Sequence, residues 1–582
     1  MKLFRSVAIV SFLCLLLAGC SGRRGVVTLR IVATTDVHGC FFDKDIMDGK
    51  ERPGSLAKLA TFLKKQRKEF NNVLYIDAGD ILQGSLEIYQ DVTAQFERKS
   101  LAAEAYNLLG CNAVAFGNHD LAVGTSCYER FYYGTTFPIL SSNICFVDWG
   151  DFVPAYRIFE YKGLRVAVVG MTTPVVKYSI PSDRIEELDV RDVAEAARYI
   201  VPKLRDEQKA DVVVGLFHTG FDNGRMDDEG VYENSVSKVV SEVSGFDVII
   251  FGHDHTPRCL KMADCNGDSV LLINPGPYAY NAAVATVTAD FRKSDKPEIL
   301  TSGYLEDITD EVPDKAFMNK LSGWYGDVSN YADSVVGTVT SSLEGRGVFW
   351  RESSAMDYIH SVQMAFNSAE ISLASPVFLC TYIPEGEIRM RDLFALYKYE
   401  NTMVSVMMKG REVRDVLEYS AGLFYNTVED SNSNLLKFRT DAESGRKMPQ
   451  IPSNYLITAA GIDYEIDVTK PAGERVSVLS MSDGKPFDPE RYYRTTINSF
   501  LYGGIESALF KIGSLSHKNI GRRLEISSST DLRYYMITEF ALKCKAGKKV
   551  DVRKVCNWRL VPEQIVAGCL AHDTIDFHVI NE

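Results

Sequence analysis

The chain has 582 residues, 46% hydrophobic and 24% charged, with 42 glycines and 19 prolines, a composition that excludes collagen-like and disordered classes. Its formal net charge of −13 repels a polyanionic backbone, so no nucleic-acid partner is expected. The length allows about two to four domains with full cores.

Lys2 and Arg5 precede an apolar stretch, Val7 to Gly19. It is too short to cross a bilayer core of about 30 Å as a helix and reads as a secretory signal over residues 1–19. The stretch ends Leu17-Ala18-Gly19-Cys20. Small residues before a cysteine resemble a bacterial lipobox, which implies lipidation of Cys20 and a mature N-terminus held by membrane lipid. The expected location is the cell envelope, on the periplasmic or cell-surface face of a membrane.

From Leu29 to about Asp290 short apolar runs keep ending in Asp, Asn or His: Leu29–Val32, Val73–Ile76, Ala113–Phe116, Val166–Val169, Val212–Leu216 and Val248–Phe251. Their β-branched content and flanking glycines predict buried strands. Helical patterns at Ser55–Phe70 and Val190–Leu204 lie between them, so the class is α/β. The first domain is expected over residues 26–300. Phe317, Leu321, Trp324, Val328, Tyr331 and Val335 then recur every three or four residues after Val312-Pro313-Asp314. This predicts an amphipathic helix over 312–337 linking two domains. The second domain is expected over 340–582. Outside the signal the cysteines show no CxxC or zinc-finger spacing. Cys259 and Cys265 flank a short polar loop, where export permits a disulfide and free thiols are equally compatible.

The chemistry sits at the strand ends. The runs are followed by Asp36-Val37-His38-Gly39, Asp77-Ala78-Gly79-Asp80, Gly117-Asn118-His119-Asp120, His218 and Gly252-His253-Asp254-His255. Carboxylate, imidazole and amide oxygen form the mixed donor set that suits divalent Zn, Mn, Fe or Co. One such motif is commonly structural; five at successive strand ends point to a metal centre.

These motifs resemble the calcineurin-like metallophosphoesterases, and within them the bacterial exported 5′-nucleotidases and 2′,3′-cyclic-nucleotide 2′-phosphodiesterases. The resemblance implies a four-layer αββα sandwich followed by a smaller α/β C-terminal domain. It implies two divalent metal ions, one held by Asp36, His38 and His255, the other by Asn118, His218 and His253, with Asp80 bridging. His119 would act beside them as an electrostatic and acid partner. Relatives often carry an aspartate that pairs with this histidine where Ala122 stands, which leaves Asp120, another carboxylate or water as its partner.

In the C-terminal domain the segments Tyr397-Lys398-Tyr399-Glu400-Asn401-Thr402 and Asn498-Ser499-Phe500-Leu501-Tyr502-Gly503-Gly504 match those that clamp a base in the family, with Tyr399 and Phe500 as the two faces. The stretch Ser372-Leu373-Ala374-Ser375-Pro376-Val377-Phe378 lacks the Asn-Gly-Gly-Gly-Ile-Arg of 5′-nucleotidases, and Gly503-Gly504-Ile505-Glu506 lacks their Gly-Gly-Asp-Gly. The expected substrates are therefore 2′,3′-cyclic nucleotides and 3′-nucleotides, cleaved to nucleoside and phosphate, with 5′-nucleotides or nucleotide sugars as the alternative. A non-catalytic nucleotide-binding lipoprotein would be expected to lose a ligand, and none is missing. Oligomeric state has no signature in the sequence.

The anchor is testable by itself. Mass spectrometry of the membrane fraction should find an acylated N-terminal Cys20, and Cys20→Ser should release the protein from that fraction; an unmodified mature terminus elsewhere would refute the anchor.

Overall fold

The computed structural model describes residues 25–577 apart from 94–98, 148–149, 181–184, 186, 223–229, 377–378, 380, 441–446, 504–507 and 513. Cys20, with the signal segment, lies outside the described residues, as do Val377, Phe378, Gly504, Ile505 and Glu506.

Twelve of the described strands build the two main sheets of the first domain. They are β1 (Val26–Thr34), β2 (Val73–Asp77), β3 (Ala113–Ala115), β4 (Ile139–Leu140), β5 (Tyr156–Tyr161), β6 (Leu164–Thr172), β7 (Val212–His218), β8 (Val248–Phe251), β9 (Arg258–Ala263), β10 (Ser269–Asn274), β11 (Asn281–Asp290) and β12 (Glu298–Asp307). They form two six-stranded sheets, ordered β12-β11-β1-β2-β3-β4 and β9-β10-β8-β7-β6-β5. The sheets face each other across an apolar layer that includes Leu29, Ile31, Leu74, Ile76, Val166, Val168, Val214, Leu216, Val248 and Ile250. Helices cover each outer face. Leu56–Glu69, Leu86–Thr93 and Leu101–Leu109 pack on the first sheet, and Val193–Pro202 and Val236–Glu242 on the second. The strands read as continuous apolar runs because both faces are buried.

The topology places the chemistry. β1, β2 and β3 are parallel neighbours, and so are β7 and β8. Each ends at the same edge of its sheet, so the five motifs emerge side by side, where open α/β sheets bind ligands.

Local chemistry sets the helix ends. Ser55 accepts from the Lys58 N–H, and Asp192 from the Glu195 N–H, so these helices start on side-chain caps. The second begins at Val193, because Leu188–Val190 is a strand. The helix expected at 312–337 runs Lys315–Asp333, capped by Asp314, which accepts from the Phe317 N–H at 2.8 Å. Val335 opens a strand, Val335–Val339, and is exposed. The chain turns extended at Ser334, which ends the helical stripe one turn early. Phe317, Leu321, Val328 and Ala332 are buried in the first domain's core, so this helix is part of that domain's wall.

The second domain is built on a five-stranded sheet. In chain order its strands are β13 (Ile371–Ala374), β14 (Thr402–Lys409), β15 (Thr458–Ala460), β16 (Tyr492–Asn498) and β17 (Leu524–Asp531), arranged β15-β13-β16-β14-β17. Its core is separate, but Met390 and Phe394 insert into the first domain's cluster and lock the two bodies together. Cys259 and Cys265 are exposed and unbonded. Among the described residues no helix is long and apolar enough to cross a membrane.

Candidate active site

The motif residues converge as two groups. Ligand atoms of Asp36, His38 and His255 lie within 4.8 Å of one another, and so do those of Asp80, His218 and His253. Asn118 joins the second group, its Oδ1 3.1 Å from His218 Nε2. Asp80 Oδ2 lies 3.1 Å from His218 Nε2 and 4.0 Å from His38 Nε2, between the groups. The motifs hold three further carboxylates that turn away and pin the loops. Asp77 accepts from Thr34, Tyr106 and the Gly79 N–H. Asp120 accepts from the backbone N–H groups of Asp80, Ile81, Leu82 and Gly117. Asp254 accepts from the Phe221 N–H and from Asn274.

The backbone is bent to make this arrangement. Asp36, His38, Asp80, His253 and His255 all have positive φ, between 50° and 78°. That region costs a non-glycine residue about 1–2 kcal/mol and persists only where the surroundings dictate it. Two glycines are steric necessities: a Cβ on Gly117 would stand 2.0 Å from Asp80 Oδ1, and one on Gly252 1.9 Å from Thr35 Oγ1.

The electrostatics fit cations. Asp36 and Asp80 are buried, yet neighbouring imidazoles overcome that burial and hold both carboxyls below their ordinary range. Burial would lower His218, but Asp80 and Asp36 lift it to about 10. Asp36 Oδ1 is buried without a hydrogen-bond partner, and His38 Nε2 faces His255 Nε2 at 3.1 Å. An orphaned carboxylate oxygen and paired imidazole nitrogens are what a divalent ion would satisfy.

A cleft of about 300 Å³ opens from this cluster. Its first wall carries His38, Gln83, Gly84, His119, His255 and Tyr278; its second carries Ser375, Lys398, Tyr399, Glu400, Asn401, Asn454, Asn498 and Phe500. Both domains thus contribute. Tyr399 and Phe500 are 49% and 38% exposed, so both rings stand open to the cleft they line. The sheet register brings them together, since Met403 on β14 pairs with Asn498 on β16. The buried Tyr397 hydroxyl accepts from Asn401 and from Asn498, each at 3.1 Å, and ties the two loops.

His119 lines the cleft, 4.0 Å from Asp80 Oδ2. Desolvation within the cluster and the imidazoles of His38, His218 and His253 push it below its ordinary pKa against the pull of Asp80. An arriving phosphate anion would lift it again. Its Nδ1–H donates to Gln83 Oε1, not to Asp120, whose oxygens are taken up by backbone donors. The sequence reading left that partner open and did not single out Gln83, although it follows Asp80 by three residues and precedes a glycine. It also missed Glu233, whose carboxylate lies 2.9 Å from His253 Nε2. No spacing signal links Glu233 to the strand ends. With Nε2–H donated to Glu233, the free lone pair of His253 is on Nδ1.

Two families match the chain in sequence: the calcineurin-like phosphoesterases over residues 29–257 and the 5′-nucleotidase C-terminal domain over residues 335–511. A 2′,3′-cyclic-nucleotide 2′-phosphodiesterase/3′-nucleotidase of Haemophilus influenzae is 25% identical over 92% of this chain and 88% of its own. The trifunctional nucleotide phosphoesterase YfkN of Bacillus subtilis is 23% identical over 82% of this chain, which spans only 36% of that longer relative. A solved Staphylococcus aureus structure named for 5′-nucleotidase shares the fold with a TM-score of 0.73, at 18% identity over 92% of this chain and 100% of that one.

The Glu233 contact predicts a metal phenotype. Removing a carboxylate that orients a ligating histidine typically lowers metal affinity about 10–100-fold. Glu233→Ala should therefore bind Mn²⁺ or Zn²⁺ more weakly in equilibrium dialysis without unfolding, whereas unchanged affinity would remove Glu233 from the site.

Proposed function

This chain belongs to the calcineurin-like metallophosphoesterases that carry a 5′-nucleotidase C-terminal domain, which are metal-dependent phosphoric ester hydrolases, and from that premise we propose that it hydrolyses nucleotides. One observation carries the proposal: a single cleft has the histidine–carboxylate cluster on one wall and the rings of Tyr399 and Phe500 on the other. Phosphate selectivity and base selectivity are then supplied by different domains.

In this reading Asp36, His38 and His255 would hold one divalent ion and Asn118, His218 and His253 a second, with Asp80 placed to serve both groups. Two such ions would supply positive charge at a phosphoryl oxygen and a source of hydroxide near neutral pH. The residues do the remaining work. Asn118 adds an oxygen donor without adding negative charge. His119 borders the cleft where the leaving oxygen would emerge and can share a proton with it. Lys398, exposed on the opposite wall, offers the phosphate a cation. Tyr399 and Phe500 sandwich the base, an interaction worth about 1–3 kcal/mol per base that tolerates any base.

The substrate class leans to 2′,3′-cyclic nucleotides and 3′-nucleotides. The 372–378 stretch carries no arginine in its sequence to grip a 5′-phosphate, and among the described residues it contributes Ser375 to the cleft. The Haemophilus relative named for the cyclic and 3′ activities supports the same choice. The Leu17–Cys20 motif supports export and anchoring through Cys20.

Hydrolysis should be metal-dependent. Asp80→Ala should abolish turnover and lower metal content, whereas His119→Ala should keep its metal and lose most of its rate. Tyr399→Ala and Phe500→Ala should each slow nucleotide hydrolysis about tenfold while sparing a base-free aryl phosphodiester. Equal losses on both substrates would overturn the clamp. Faster cleavage of 5′-nucleotides or nucleotide sugars in the same panel would overturn the substrate choice while leaving the hydrolase intact.

A further inference from the structure

The first domain holds another cavity, of about 270 Å³, which shares no lining residue with the catalytic cleft. The helix Thr125–Gly134 gives it Thr125, Tyr128, Glu129 and Tyr132, and steps of three, four and seven residues put these on one helix face. Phe146 and Phe152 reach it from the excursion between β4 and β5, and Phe116 from the residue that follows β3. Glu187 lines it as well. The excursion is pinned beside Glu187, since Phe146 pairs with Leu188 and the Val147 N–H donates to the Glu187 carbonyl at 2.9 Å.

Two features make this cavity more than a packing gap. Its rings stand as a box and not as a stack. Tyr128 lies at 72° to Phe116 and 84° to Phe152, with centroids 5.8 and 5.6 Å apart, and Phe146 lies at 80° to Phe152, 5.4 Å away. The second feature is charge. Among the described residues neither Glu129 nor Glu187 has a side-chain hydrogen bond or ion pair. Basic residues near them along the chain are engaged elsewhere: Arg130 faces Asp91 at 3.1 Å, and Lys177 and Arg191 face Asp189 at 3.1 and 3.6 Å. An apolar guest would not call for two unpaired carboxylates, and an anion would be repelled by them. A hard metal ion would need more oxygen ligands, and the Thr125 hydroxyl already accepts from Tyr128. Aromatic walls and negative charge at one cavity suit an organic cation.

We propose that this cavity binds a small alkylammonium cation, with Tyr128, Phe146 and Phe152 packed around its alkyl groups and Glu129 and Glu187 balancing its charge. The site stands apart from the hydrolytic cleft, so it does not depend on the nucleotide reading. It assigns a function to a part of the first domain that the metal cluster does not use.

The test separates charge from shape. Calorimetric titration of the full chain compares choline chloride with 3,3-dimethylbutan-1-ol, which has the same shape but a carbon in place of the charged nitrogen. Choline should bind at one site, and the neutral alcohol should bind about tenfold or more weakly, because it has no charge for the rings and carboxylates to attract. Glu129→Gln and Glu187→Gln should each weaken choline, and the double variant should lose about tenfold. Melting temperature and hydrolytic turnover should hold in these variants, as should the affinity for the neutral alcohol. Phe152→Leu should weaken choline too. Tyr399→Ala should leave choline affinity unchanged, which keeps the cation away from the exposed rings of the catalytic cleft. The proposal is overturned if the alcohol binds as well as choline, if the double variant binds choline as the parent does, if Tyr399→Ala abolishes the binding, or if no saturable binding tighter than about 10 mM is found.

Discussion

The structure is organised around two carboxylates kept ionised where water cannot reach them. Asp36 and Asp80 are at most 1% exposed, and a bare buried carboxylate would be strongly disfavoured. What keeps them charged is the ring of imidazoles, and what keeps the imidazoles in place is the way two sheets end at one edge. β1, β2 and β3 deliver Asp36, His38, Asp80 and Asn118, and β7 and β8 deliver His218, His253 and His255. Without the apolar layer between the sheets the charges would hydrate and separate. The layer fixes strand spacing, strand spacing fixes the loops, and the loops hold five residues in the left-handed region. Strain of that kind is kept because every neighbour enforces it.

Much of this was legible in the sequence, for a definite reason. A buried parallel strand is a short apolar run, and a ligand placed just after it is a polar residue beside a glycine, so both leave local signals. The six strand runs and the polar residues following them appear where those signals stand. The helix of residues 315–333 shows where periodicity misleads. Val335 continues the apolar spacing but belongs to the next strand, since a stripe does not record where backbone hydrogen bonding stops. Glu233 and Gln83 left no pattern because each acts through a tertiary contact. Glu233 reaches a histidine twenty residues away on another loop. Gln83 is tied to its histidine only by the fold.

The second domain contributes through its register. A one-residue slip between β14 and β16 would move Asn498 off Met403 and carry Phe500 away from Tyr399. The Tyr397 hydroxyl guards that register at the loop end by accepting from Asn401 and Asn498 together. The two exposed rings are therefore positioned through a buried third.

Joining the domains also has an electrostatic side. Arg533 is a buried cation at a domain boundary, where an unpaired charge would be costly. It faces two carboxylates, Glu400 at 3.0 Å and Asp531 at 3.9 Å, and two ring faces, Tyr89 and Phe394, which come from opposite sides. Burial pushes the Glu400 carboxyl up to about 7 even with Arg533 beside it. Separating the domains would uncover Arg533 and the two rings at once. The docked arrangement is thus favoured by these contacts, and a cleft able to open for exchange must break them together. The wall that carries the two exposed rings and the wall that carries the histidine–carboxylate cluster are therefore held together by a buried charge as well as by shape.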